Sequence, residues 1–280
     1  MRGKEFHRKN MSTPQRFVGY RHVPPRPMRT LILPFVLMLA TAAFVSAAED
    51  GPVYELRTYT AAPGRLDDVL ARFRDHTIGI FNRHGMVSIG YWVPMEAKDG
   101  AGEKLVYLLQ HPSREAAVKN WAAFRADPEW QSVSKASEAH GKIVIHSESV
   151  FLAPADFSPA VAAASGPGAA RVFELRFYTT PEGKLGELDS RFRSPERSYF
   201  VRHGMMEVGY FHPLDAANGA GHTLVYMLGH ASRAAAVASW AGFSADPDWI
   251  ALKSATEKNG ALTTKVVSIF LTPTDFSPLK

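Results

Sequence analysis

Glu55, Arg57 and Tyr59 sit two residues apart, so in an extended strand they share one face. The same trio returns as Glu174, Arg176 and Tyr178. Such a set could hold an anionic or phenolic ligand, with arginine as a bidentate anchor, tyrosine as donor and glutamate as base. The competing use is structural: a buried Glu–Arg pair that fixes sheet register, because an unpartnered buried charge costs several kcal/mol. His84 and His203 each precede a glycine at the end of an expected helix. They could be proton shuttles or haem ligands, or caps whose charge suits the helix dipole. His111 and His230 close an expected strand, where they could line a ligand path or cap the helices opened by Ser113 and Ser232. Tyr91, Tyr107, Tyr210 and Tyr226 read as core or cavity wall, and Trp121, Phe124 and Trp130, with Trp240, Phe243 and Trp249, as core.

All these residues come in pairs 119 positions apart, and 53–159 aligned on 172–278 gives 51 identities in 107 positions. The chain therefore carries a duplicated domain, and two tethered copies of one fold can do what a homodimer does. Residues 160–170 form a small-residue linker containing Gly166-Pro-Gly168. Within one copy, Val53–Thr60 alternates as a strand. A helix is expected from Leu66 to a C-terminal Gly85, with strands at Met86–Val93 and Leu105–His111. Ser113 then caps a helix whose inward stripe is Val118, Trp121 and Phe124. A short helix opened by Asp127-Pro128 and a strand at Ile143–Leu152 complete the copy. The order β-α-β-β-α-β is the ferredoxin-like arrangement, with helices on one sheet face. The other face needs a cover, which the second copy can supply. The apolar face of Tyr54, Leu56 and Thr58 is expected to meet the helices. The Glu55/Arg57/Tyr59 face is then expected to turn inward and line a cavity between the two sheets.

The first fifty residues stand apart. Residues 1–29 hold eight of the 32 Lys/Arg side chains against one acid, which leaves the remainder with 24 basic and 26 acidic groups. The basic pI thus belongs to a leader and gives no support to nucleic-acid binding. Leu31–Phe44 is largely apolar and runs into Val45-Ser-Ala-Ala48. This predicts a signal peptide over 1–47, cut after Ala47 or Ala48, and a secreted or periplasmic protein. Left uncut, the segment would be a membrane anchor. With no cysteine in the chain, disulfides and thiolate chemistry are excluded. No H-E-x-x-H motif, phosphate-binding loop or nucleophile elbow is present.

Tyr54-Glu-Leu-Arg-Thr-Tyr59 with Pro63-Gly64, then Arg83-His-Gly85, Gly90-Tyr-Trp92 and Asp127-Pro-Glu-Trp130, resembles the NIPSNAP family of the dimeric α/β barrel superfamily. The resemblance covers both copies. It implies an α+β protein whose two tandem ferredoxin-like domains pack as an intrachain dimeric α/β barrel. It transfers no settled chemistry, although the wider superfamily includes cofactor-free monooxygenases, haem enzymes and small-molecule binders. Three classes follow: a binder of a small organic ligand in the barrel, an oxygenase or isomerase, or a protein-interaction domain. No metal and no cofactor is predicted, haem staying open, and self-association is left open.

Overall fold

A computed structural model describes residues 51–161 and 171–280; the expected leader over 1–47 and linker residues 162–170 lie outside them. The first copy contributes strand β1 (Val53–Ala61), helices α1 (Leu66–Arg72) and α2 (Ile78–Arg83), and strands β2 (Val87–Pro94) and β3 (Lys104–His111). Helices α3 (Arg114–Ala126) and α4 (Pro128–Ser137) and strand β4 (Val144–Pro154) follow. The second copy repeats this as β5 (Val172–Thr179), α5 (Leu185–Arg191), α6 (Arg197–Arg202), β6 (Met206–Pro213), β7 (Thr223–His230), α7 (Arg233–Ala245), α8 (Pro247–Thr256) and β8 (Lys265–Pro273).

Local chemistry sets most of the boundaries. Ser113 accepts from the Ala116 amide at the start of α3, and Asp127 accepts from the Glu129 and Trp130 amides at the start of α4. Each such cap stabilises its helix by about 1 kcal/mol. Gly85, at φ +72°, ends the first helical segment in the left-handed conformation that glycine adopts without strain. The single helix expected over 66–85 is interrupted by one π-helical turn, Phe73–Thr77, so Phe73, Ile80 and Phe81 all bury on the sheet.

Each copy forms an antiparallel sheet, in the order β4-β1-β3-β2 and β8-β5-β7-β6. The two sheets join at β2–β8 and β4–β6 into a closed eight-stranded barrel. The interior is packed with apolar side chains from all eight strands. Tyr54 meets Phe211 at 5.0 Å between ring centroids, and Trp92 meets Phe173 at 5.6 Å. Gly90 is required here, because a Cβ at that position would lie 2.3 Å from the Trp92 ring.

This reverses one expectation. Tyr54 and Leu56 point into the barrel, whereas Glu55, Arg57 and Tyr59 lie on the outer face beneath the helices. The barrel interior, lined by both sheets, is the more enclosed side, so it takes the face without charges. The helix-covered side can accept polar groups because the helices bring donors to meet them. The expected cavity between the sheets is therefore a packed core.

The segments after β4 and β8 cross to the opposite copy. Ala155 and Phe157 join the outer core of the second copy, and Phe276 packs on Tyr91 of the first at 5.6 Å. Ser277 Oγ accepts from the Tyr91 amide at 2.9 Å, and Ser158 Oγ accepts from the Tyr210 amide at 3.0 Å.

Candidate functional site

Strand β1 places Glu55 beneath α3 with 1 % of its surface exposed. Four donors converge on its carboxylate. Trp121 Nε1 at 2.6 Å and His111 Nε2 at 3.1 Å reach Oε2; Ser149 Oγ at 2.6 Å and Arg57 Nη1 at 2.5 Å reach Oε1. Burial alone would push this carboxyl up. The His111 hydrogen bond, the Arg57 charge, and the Ser149 and Trp121 hydrogen bonds outweigh burial and hold it at about 2. Because an ionised carboxylate only accepts, His111 Nε2 carries the proton of that bond. Arg57 in turn donates from Nε to Tyr107 Oη at 2.8 Å, and its guanidinium lies 4.5 Å from the Trp121 ring centroid. That is within the range of a cation–π contact.

The second copy repeats the cluster. Glu174 accepts from Trp240 at 2.6 Å, His230 at 3.0 Å, Ser268 at 2.6 Å and Arg176, and its pKa is likewise held at about 2 against the upward push of burial. One partner differs: Arg176 Nη2 donates to Tyr178 Oη at 3.1 Å, not to Tyr226.

Above the first cluster lies a cavity of about 490 Å³ between the outer sheet face and α3 and α4. Tyr59, Trp121, Phe124, Trp130 and Phe151 form its walls, Glu55, Arg57 and Ser149 its polar floor, and Val118 and Arg125 complete the lining. Val118 is not part of the inward stripe, as the spacing suggested, but is 62 % exposed. The buried positions of α3 are Ala117, Trp121 and Phe124, spaced four and three apart, which puts Val118 at the edge of that stripe.

The other candidate residues separate into two groups. His84 bonds Asp127 Oδ2 at 2.7 Å and His203 bonds Asp246 Oδ2 at 2.7 Å, so each clamps the helix corner that its aspartate caps. Neither lines the cavity. The cavity lining contains no imidazole. Tyr91 and Tyr210 stack on Tyr107 and Tyr226 at 5.6 and 5.5 Å in the core below the site. Their hydroxyls go elsewhere, Tyr91 to Ser88 at 2.6 Å and Tyr210 to Glu207 at 2.9 Å. The sequence pattern within one copy does not point to Ser149 and Ser268; it gives Trp121 and Trp240 as core and His111 and His230 as path-lining residues or caps. A signal for the serines was present. Across 142–151 the two copies agree only at Ser149/Ser268 and Phe151/Phe270, and both pairs belong to the site.

The NIPSNAP family model matches residues 54–159 and 173–278. Among solved structures, the chain is similar to a "putative monooxygenase" from Lactobacillus acidophilus at 12 % identity, with a TM-score of 0.53 over 80 % of this chain and 94 % of that one. It is similar to an anthrone oxidase-like protein at 13 % identity, with a TM-score of 0.51 over 83 % and 95 %. A NIPSNAP-like domain protein from Burkholderia xenovorans matches at 23 % identity, with a TM-score of 0.35 over 39 % and 90 %. At these identities the first two likenesses concern the fold alone. No functionally curated protein matches the chain.

Proposed function

The chain belongs to the NIPSNAP family, and on that premise we propose that it binds a flat, mainly apolar organic molecule between the outer sheet face and the helices. The observation that carries this reading is the cavity of about 490 Å³ walled by aromatic rings over the Glu55–Arg57 pair. Small-molecule sites are concave, largely apolar and oriented by a few polar groups, within roughly 300–1,000 Å³. Arg57 keeps 15 % of its side chain exposed, enough to present an edge to a ligand while Glu55 fixes its position. A catalytic role has less support. A carboxylate held at about 2 by four donors is a weak base near neutrality, which counts against Glu55 as the base.

The test fills the pocket from outside. Val118→Trp places a ring at an exposed cavity-lining position and leaves the core untouched. Isothermal titration with 2-naphthol should show saturable binding to the wild type. In the variant the first-copy site should be lost with the melting temperature unchanged. Absence of wild-type binding, or unaltered binding in the variant, would remove the proposal.

The ligand reading belongs to an exported protein. Its support is the basic leader, the apolar run Leu31–Phe44 and the small residues before Ala47. Amino-terminal sequencing of the protein from its own host should begin at Ala48 or Glu49, and an intact leader would contradict export by cleavage.

A further inference from the structure

Arg72 and Arg191 hold the same place in the two copies, 119 positions apart, but they are not equally partnered. Arg191 donates from Nε to Glu196 at 2.8 Å and from Nη1 to Glu257 at 2.8 Å, so two carboxylates share one buried guanidinium. In the first copy Thr77 stands where Glu196 stands. Arg72 has Glu138 at 3.4 Å and the Ser137 hydroxyl at 3.2 Å, and its Nε has no hydrogen-bond partner among the described residues. Only 6 % of its surface is exposed, which makes it a buried cation one carboxylate short of its counterpart. Such a group is costly to the fold, and an anion that completes its donors relieves the cost.

Arg72 lines a cavity of about 380 Å³ between α1, the π-helical turn and α4, which shares no lining residue with the aromatic one. Asp75 lines it too and forms no ion pair with any described residue, whereas Asp68, the other acid of the lining, is held by Arg65. The counterpart of Asp75 is Ser194. The two copies thus place an acid differently. In the second it is buried on the arginine; in the first it stands at the cavity, three residues along from Arg72, a spacing that makes helical residues neighbours. A simple carboxylate entering here would meet Asp75 as a like charge, and a simple amine would leave Arg72 without its anion. A ligand carrying both charges answers both groups. Ala71, Val133 and Ala136 supply the apolar part of the lining.

The geometry points to a separate binding site in the first copy for a free α-amino acid with a small apolar side chain. Its carboxylate meets Arg72 and Ser137, its ammonium meets Asp75, and its side chain lies against Ala71, Val133 and Ala136.

L-Norvaline, pentanoate and L-norvalinamide test this, because they share a propyl chain and differ in which charges they carry at about pH 6.5, where the α-amine is protonated. Calorimetry on the whole chain should show norvaline bound at least about tenfold more tightly than either analogue, since each analogue loses one charge-assisted pairing. Asp75→Asn, at an exposed position, should bring norvaline down to the affinity of pentanoate. Ser132→Trp, also exposed, should fill the cavity and abolish binding with the melting temperature unchanged. Thr77→Glu installs the second copy's carboxylate and should exclude norvaline from within; should that variant fail to fold, the two surface variants decide. A wild type that does not bind norvaline, an analogue that binds as tightly, or a Ser132→Trp or Asp75→Asn variant that binds norvaline like the wild type would overturn the proposal.

Discussion

Glu55 and Glu174 keep their charge inside the protein because four donors converge on each, and pH can expose that dependence. Their folded pKa of about 2 lies below the ordinary 4.5, so on acidification the unfolded chain takes up these protons first. The stability they contribute is whole above about 4.5 and is lost between there and about 2. Each carboxylate accounts for roughly 3 kcal/mol. Glu196 works in the opposite sense. Burial pushes its carboxyl up to about 7, and the Arg191 charge and hydrogen bond at 2.8 Å only partly offset this. Its contribution is whole below about 4.5 and is lost as pH rises through 7. Urea midpoints should therefore fall on both sides of a mildly acidic maximum. Glu55→Gln should weaken the acid limb, and Glu196→Gln should flatten the neutral one. Limbs unchanged in these variants would contradict the assignment. Of these environments only the Glu55–Arg57 and Glu174–Arg176 pairings are legible in the sequence; the other partners of these two glutamates come from distant residues, Ser149 lying 94 positions from Glu55.

At the scale of the element, β1 shows what a period-two pattern can and cannot tell. The alternation correctly separates Tyr54 and Leu56 from Glu55, Arg57 and Tyr59. It carries no label for which face meets the helices, since both faces of this sheet are covered. Only the identity of the covering layer decides, and that layer belongs to the other copy. The same limit applied to α3, where helical spacing found Trp121 and Phe124 but misplaced Val118 by one position around the helix. Capping residues were read more securely, because their partners are two or three residues away. On β2 the close fit of Gly90 beneath Trp92 yields a direct expectation. Gly90→Ala should destabilise the protein by roughly 1–3 kcal/mol through forced movement of the indole. A urea midpoint equal to the wild type would show that the ring moves without cost.

For the molecule as a whole, the repeat makes two facing copies legible, because helices on one side of a lone sheet would leave its other face uncovered, while closure into a barrel is what the family resemblance implies. The structure adds how the copies are fastened. Strands β4 and β8 each pair across the boundary, and Arg114–Asp215 and Arg233–Glu96 bridge it at 2.9 and 3.2 Å. A protease site placed within 162–170 should be cleavable without separating the halves. The two pieces should elute together in gel filtration and part only in denaturant. Separation on cutting would mean that the link itself carries the association.

The crossing of Phe276 and Ser277 onto Tyr91 also sets an order of events. The backbone at Tyr91 waits for a hydroxyl 186 residues downstream. During synthesis the earlier half therefore emerges with an open seam, and it can seal only when the later half has been made. Whatever guards the nascent chain must shield that seam in the interval, so maturation is a joint event rather than two successive ones.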